Sequence, residues 1–180
     1  MTAEGARTRH RAAALSALAL LLLAAVSMYL FVWPDLPPLP PRADAIINLG
    51  TPVMDDTTAL ALAHEHRAPI LAEVAIPEEV GTQLCLPPVP GVTIVCFYPD
   101  PNTTRGEARF IGQMARQHQW TSVIIVTTPD HAWRARLRVS RCFPGAIYVA
   151  TLHMPAWRWL IAIPYQWAAT LKAVLIERDC

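Results

Sequence analysis

Two short polar stretches carry the side chains that could do chemistry. Asp100-Pro101-Asn102-Thr103-Thr104-Arg105-Gly106-Glu107 gathers an amide, two hydroxyls and two carboxylates at one turn. Thr127-Thr128-Pro129-Asp130-His131-Ala132-Trp133-Arg134 sets two more hydroxyls, an imidazole and a guanidinium around a proline that suits a helix start. Amide N–H groups at a helix N-terminus attract anions, and Asn102 and Thr103 could orient one. His131 falls in the first helical turn with Arg134 three residues on, so the two share a face. An imidazole beside helix amides could donate to an oxyanion or serve as acid or base, balanced by Glu107 or Asp130. Glu107 and His131 are therefore the acid/base candidates. Asn102, Thr103, Thr104, Thr127, Thr128 and Arg134 are the ligand-binding candidates.

Plainer readings compete at each position. Thr104-x-x-Glu107 matches a capping box, which accounts for both residues with no ligand but leaves the density of short polar groups unexplained. A lone histidine is more often a surface or packing residue. Asp55 and Asp56 could bind a cation, although capping a helix at Thr57 accounts for them. There is no C-x-x-C and no His/Cys cluster, so no metal site is expected. Gly50-Thr51-Pro52 stands where a dinucleotide fingerprint would follow the first strand. No phosphate-binding Walker loop and no G-x-S-x-G serine elbow occurs, and no cofactor is expected.

These stretches need elements to hold them. Ala45–Leu49, Pro69–Val74, Val92–Phe97, Ser122–Thr127 and Ala146–Ala150 read as strands. Thr57–His66, Thr104–His118 and His131–Cys142 read as helices, and Ala75–Gly91 as a long loop. Alternating strands and helices, with strands apolar on both faces, predict an α/β sandwich with a mainly parallel sheet. In such sheets ligands sit beyond the carboxyl ends of the strands, where strand order switches. That places function just after Leu49, Phe97 and Thr127. The segment Ala156–Ile176 is apolar but holds Arg158 and Pro164, which argue against a second membrane span. A helix covering the sheet is expected, with a helix lying on the membrane through its tryptophans as the alternative.

The uncharged apolar run Ala12–Trp33 follows Arg7, Arg9 and Arg11. At about 1.5 Å per residue it reaches roughly 33 Å, enough for a ~30 Å hydrocarbon core. The arginines predict a cytoplasmic tail (residues 1–11), one transmembrane helix (12–33) and an extracytoplasmic remainder at the cell membrane. A signal peptide cleaved near Ala25-Val26-Ser27 competes, but the apolar stretch continues past that point to Trp33. Pro34–Pro41 reads as a semi-rigid polyproline spacer lifting the domain off the membrane, and residues 43–180 as one domain. Beyond Trp33 there are 12 basic and 13 acidic residues, so no net charge calls for nucleic acid. Seven arginines do crowd the stretch from Arg105 to Arg141, which suits an anionic ligand or solvated helix faces. Cys85, Cys96, Cys142 and Cys180 allow disulfides outside the cytoplasm. A Cys85–Cys96 staple across the Pro-rich loop is attractive, yet three full pairings stay open.

At these residues the chain resembles the YdcF/SanA/ElyC-like family. The resemblance rests on Asp44-Ala45-Ile46-Ile47-Asn48-Leu49-Gly50, on Asn102-Thr103-Thr104-Arg105-Gly106-Glu107-Ala108, and on Val126 through Ala135. It covers roughly Ala43–Ala150 and extends toward Ile176. It implies a Rossmann-like three-layer sandwich, commonly behind one N-terminal membrane helix, and a role in bacterial cell-envelope and peptidoglycan upkeep. No reaction is assigned across the family. The implied polar pocket comprises Gly50, Asn102, Thr104, Glu107, Thr127, His131 and Arg134. The chain departs from the family at Gly50-Thr51, where Gly-Gly is usual, and at Thr57, where an arginine is common. Two functions follow as expectations: binding or processing of an anionic envelope precursor, or a non-catalytic binding or scaffolding module with a degenerate pocket.

Overall fold

Strands buried on both faces must be covered on both faces, and the chain meets that demand with a single sheet. The computed structural model describes residues 3–49, 56–82 and 85–180. Gly50 and Asp55 lie outside the described residues. The strands are β1 (Ala45–Asn48), β2 (Ile70–Val74), β3 (Thr93–Phe97), β4 (Ser122–Thr127) and β5 (Ala146–Thr151). They form one all-parallel sheet in the order β3-β2-β1-β4-β5. The strand order reverses between β1 and β4, where Asn48 stands level with Val126.

The helices are α1 (Ala3–Ser27, continued by a π-helical turn Met28–Val32), α2 (Thr57–His64), α3 (Thr104–His118), α4 (Pro129–Ser140) and α5 (Trp159–Leu171, continued by a second such turn Lys172–Ile176), with single 3-10 turns at Pro77–Glu79 and Ala156–Arg158. Alternation along each strand divides the core. Ala45, Ile47, Val123 and Ile125 pack with Ala108 and Ile111 of α3 and Ala135 and Val139 of α4. Ile46, Leu71, Ile124 and Val126 pack with Ala59 and Leu62 of α2, and with Leu86 and Val89 of the loop before β3. That loop is stapled by a Cys85–Cys96 disulfide, and a second disulfide joins Cys142 to Cys180. Asp44 anchors the amino end of the sheet. Its Oδ2 accepts from the backbone N–H of Thr121 at 2.6 Å and of Ser122 at 2.9 Å, joining β1 to β4.

Several boundaries differ from those read off the sequence. α4 begins two residues earlier than His131 because Pro129 takes the first helical position, and it ends at Ser140. α2 stops at His64, and His66 turns into the left-handed region at φ 51°. The Pro-rich segment is no spacer. Leu36 packs on the core beneath α3 and α4, Leu39 on the other core, and Arg67 donates to the Pro40 carbonyl at 2.9 Å. Prolines fix the extended path, and the leucines between them supply the contact that holds it down.

α1 holds a run, Arg9–Val32, long and apolar enough to cross a membrane. Its last turns press on α4, and Phe31 is fully buried. Ala156–Ile176 passes the same test of length and composition. The sequence suggests that α5 covers the sheet, but it contributes to neither apolar cluster of the sheet. It lies outside α4 and against the end of α1, where the Trp167 indole N–H donates to Ser27 Oγ at 2.9 Å and Phe31 meets Trp167 edge-on.

Candidate functional site

A cavity of about 560 Å³ opens at the carboxyl end of the sheet, between the starts of α3 and α4 and the first turns of α5. Asn102, Thr104, Glu107, Thr128, Asp130, His131 and Arg134 form its polar side. Leu49, Val74, Met154, Trp157, Ile161 and Tyr165 form the apolar side. Both halves follow from the parallel topology, which delivers β1, β3 and β4 to the same edge and starts α3 and α4 there.

The polar groups make one connected chain of hydrogen bonds. Thr127 Oγ1 donates to the Leu49 carbonyl at 3.3 Å and therefore accepts from His131 Nδ1 at 2.8 Å. That assignment leaves Nε2 as the acceptor, 3.1 Å from Thr104 Oγ1. Thr104 Oγ1 in turn accepts from Arg134 Nη1 at 2.8 Å. Arg134 Nε donates to Gln166 Oε1 at 2.9 Å, and Gln166 Nε2 donates to Asp130 Oδ2 at 2.7 Å. Tyr165 covers the guanidinium, its ring centroid 5.9 Å from Cζ. A neutral imidazole clamped between two hydroxyls is thus fixed in one tautomer and one orientation.

Desolvation sets the charge states. Burial holds the His131 imidazole well below the usual histidine range, and the nearby Arg134 charge pushes it the same way. Burial pushes Glu107 up to about 7, against the opposing pull of Arg134 and of the neighbouring Thr104 side chain. Its Oε2 is buried with no hydrogen-bond partner. Burial also lowers Arg134, while Tyr165 and Glu107 favour its charged form. A carboxyl near neutrality beside a buried guanidinium suits proton transfer at an anionic ligand, and here Glu107 fits that task better than the neutral His131.

The structure brings together most of the residues singled out from sequence, with corrections. Thr103, not Thr104, occupies the N-cap position of α3, and its side chain makes no capping bond. The expected capping box is therefore absent, because Thr104 is already the first helical residue and its hydroxyl turns toward His131 and Arg134. Thr103 is exposed and off the cavity wall. Thr127 is buried and acts behind the wall by holding His131. Asn102 lies at the exposed rim, donating to Tyr98 Oη at 2.9 Å. Gly106 permits the close approach of the Asp100-Pro101 turn, since a Cβ there would stand 2.0 Å from the Pro101 carbonyl oxygen.

The arginine excess also resolves. Arg105 pairs with Asp179 and Arg138 with Glu177. Arg109 donates to the Cys180 carbonyl, and Arg141 to the carbonyls of Ala173 and Glu177. Four of the seven thus fasten the segment after α5 to α3 and α4, and Arg134 is the one of the seven that lines the cavity.

Sequence reading missed the wall from α5 and Gln166 as a member of the network. It also missed Glu73, a carboxyl 3% exposed on β2. Burial drives Glu73 up to about 8, opposed by a hydrogen bond from Asn48 and reinforced by the Asp56 charge. A lone carboxylate inside Ile70-Leu71-Ala72-Glu73-Val74 was the available signal. Glu73 and Asn48 alternate in direction with Val74 and Leu49, so they point away from the cavity. Among the described residues no group of three His, Cys, Asp or Glu side chains is placed to hold a metal ion. No family model, curated protein or solved structure matches this chain.

Proposed function

We propose that the chain is a membrane-anchored bacterial protein of the YdcF/SanA/ElyC-like kind, with a Rossmann-like domain held outside the cytoplasm by one N-terminal span. In this reading it takes part in cell-envelope and peptidoglycan upkeep by binding or processing an anionic envelope precursor. One observation carries the reading: Thr104, Glu107, His131 and Arg134 converge on a single cavity at the strand-order reversal. Arg134 supplies the cation for the ligand, and Glu107 supplies a transferable proton. The apolar side formed by Met154, Trp157 and Ile161 receives a less polar portion of the same ligand.

Pyrophosphate is a minimal anionic probe for the purified full chain in detergent. Binding raises the melting temperature by mass action, worth about 2.7 kcal/mol at a hundredfold excess over Kd, and Arg134→Met removes the rise. No shift with the native chain removes the anion reading. A non-catalytic module is the second reading. It is favoured by His131, both of whose ring nitrogens already face threonine hydroxyls. Complementation of an envelope-stress phenotype separates the two. Full rescue by both Glu107→Ala and His131→Ala leaves binding alone.

A further inference from the structure

α5 carries an apolar stripe that the domain does not cover. Trp157, Leu160, Pro164, Ala168, Leu171 and Leu175 are all exposed and recur at intervals of three and four, so they share one face. Leu160 is 83% and Leu175 67% exposed, while Gln166 and Thr170 on the opposite face are buried. We propose that this stripe docks on the outer surface of the bilayer crossed by α1, with α5 lying in the interfacial layer. The inference rests on the reading of α1 as a membrane span.

Lipid is the occupant that continuity with α1 selects. A span of about 20 residues starting at Ala12 ends near Phe31, so Ser27 sits about 6 Å inside the outer boundary. Trp167 is bonded to Ser27 and in edge contact with Phe31, which brings α5 to that same depth. The docked Pro-rich segment holds the domain close to the end of α1. Arg158 at the start of α5 and Arg136, which shares a small cleft with Tyr29 and Trp133, are exposed cations suited to anionic headgroups. Spanning by α5 itself is ruled out by its attachments. Gln166 is held by Arg134 and Asp130, and the residues after Ile176 are held by Arg138, Arg141 and the Cys142–Cys180 disulfide.

The full chain is reconstituted into vesicles of phosphatidylcholine and phosphatidylglycerol carrying a phospholipid with a photoactivatable diazirine on its acyl chain, and adducts are mapped by mass spectrometry. We expect adducts on α1 and on Leu160, Leu171 and Leu175, with none on Gln166 or Thr170. Adducts on α1 alone overturn the docking and leave the α1 span intact. Absence of adducts on α1 removes the span and this inference together. Labelling around the whole circumference of α5 marks insertion and also overturns it. In a Leu160→Glu/Leu171→Glu variant, whose two sites are exposed, α5 adducts are lost while α1 adducts and the melting temperature persist. Undiminished α5 labelling in that variant refutes the stripe.

Discussion

Glu107→Gln tests whether the cavity keeps its carboxyl protonated. Burial raises Glu107 from 4.5 to about 7, so the folded chain holds a proton that the unfolded chain releases across that window. Stability therefore falls as pH rises from 4.5 toward 7, and flattens above. The full shift corresponds to about 3 kcal/mol, at about 1.4 kcal/mol for each tenfold change. Part of Glu107 reaches solvent, and screening trims the effect to about 2 kcal/mol between about pH 5 and about pH 8. Glutamine keeps the shape and loses the titration. The variant should match the native chain at about pH 5 and exceed it at about pH 8, by roughly 6 °C in melting temperature for a domain of this size. The assay is thermal unfolding of both full chains in detergent across that range. Contributions from Glu73 and His131 are common to both proteins and cancel in the comparison. Parallel curves, or a variant weaker at about pH 8, would show that Glu107 is ionised as the counter-ion of Arg134 and would refute the argument.

Other outcomes follow from the same geometry. Glu73→Gln should give a same-signed gain, with its folded-state midpoint near 8, read from the same unfolding curves. Replacing Cys142 and Cys180 together by serine reopens a separation of 38 residues. Closure entropy puts the cost at up to about 4 kcal/mol, checked by denaturant unfolding. Burial acts to raise Asp44, but hydrogen bonds from Thr121 and Ser122 outweigh it and hold the carboxyl low. Asp44→Ala should cost about 1 kcal/mol above the ordinary 3.8 of this carboxyl, the loss vanishing as acid protonates Asp44 in the native chain. Thr127→Val leaves His131 Nδ1 unpaired and should cost about 1–3 kcal/mol in stability and weaken pyrophosphate binding in the same titration.

The sheet was readable because parallel strands advertise themselves. Val123-Ile124-Ile125-Val126 is apolar on both faces, and only a covered sheet satisfies such a run. The site was readable in outline for a related reason: parallel strands must deliver their carboxyl ends to one edge. What stayed hidden depended on contacts distant in sequence. Thr104 looks like a cap until Arg134, 30 residues later, claims its hydroxyl. The arginines look like ligand binders or solvated residues until Glu177 and Asp179 return to meet them. The proline run looked like a spacer because its composition speaks for stiffness and not for where Leu36 and Leu39 land. The α5 wall was hidden because an apolar helix pattern does not say which neighbour it meets.

The docked linker limits how the domain can swivel. A free tether would let the domain sweep a wide volume and sample targets well away from its attachment point. With Leu36 and Leu39 seated on opposite faces of the sheet and Phe31 enclosed at the end of α1, the domain and α1 turn as one body. The cavity then keeps a constant heading and distance relative to the axis of α1.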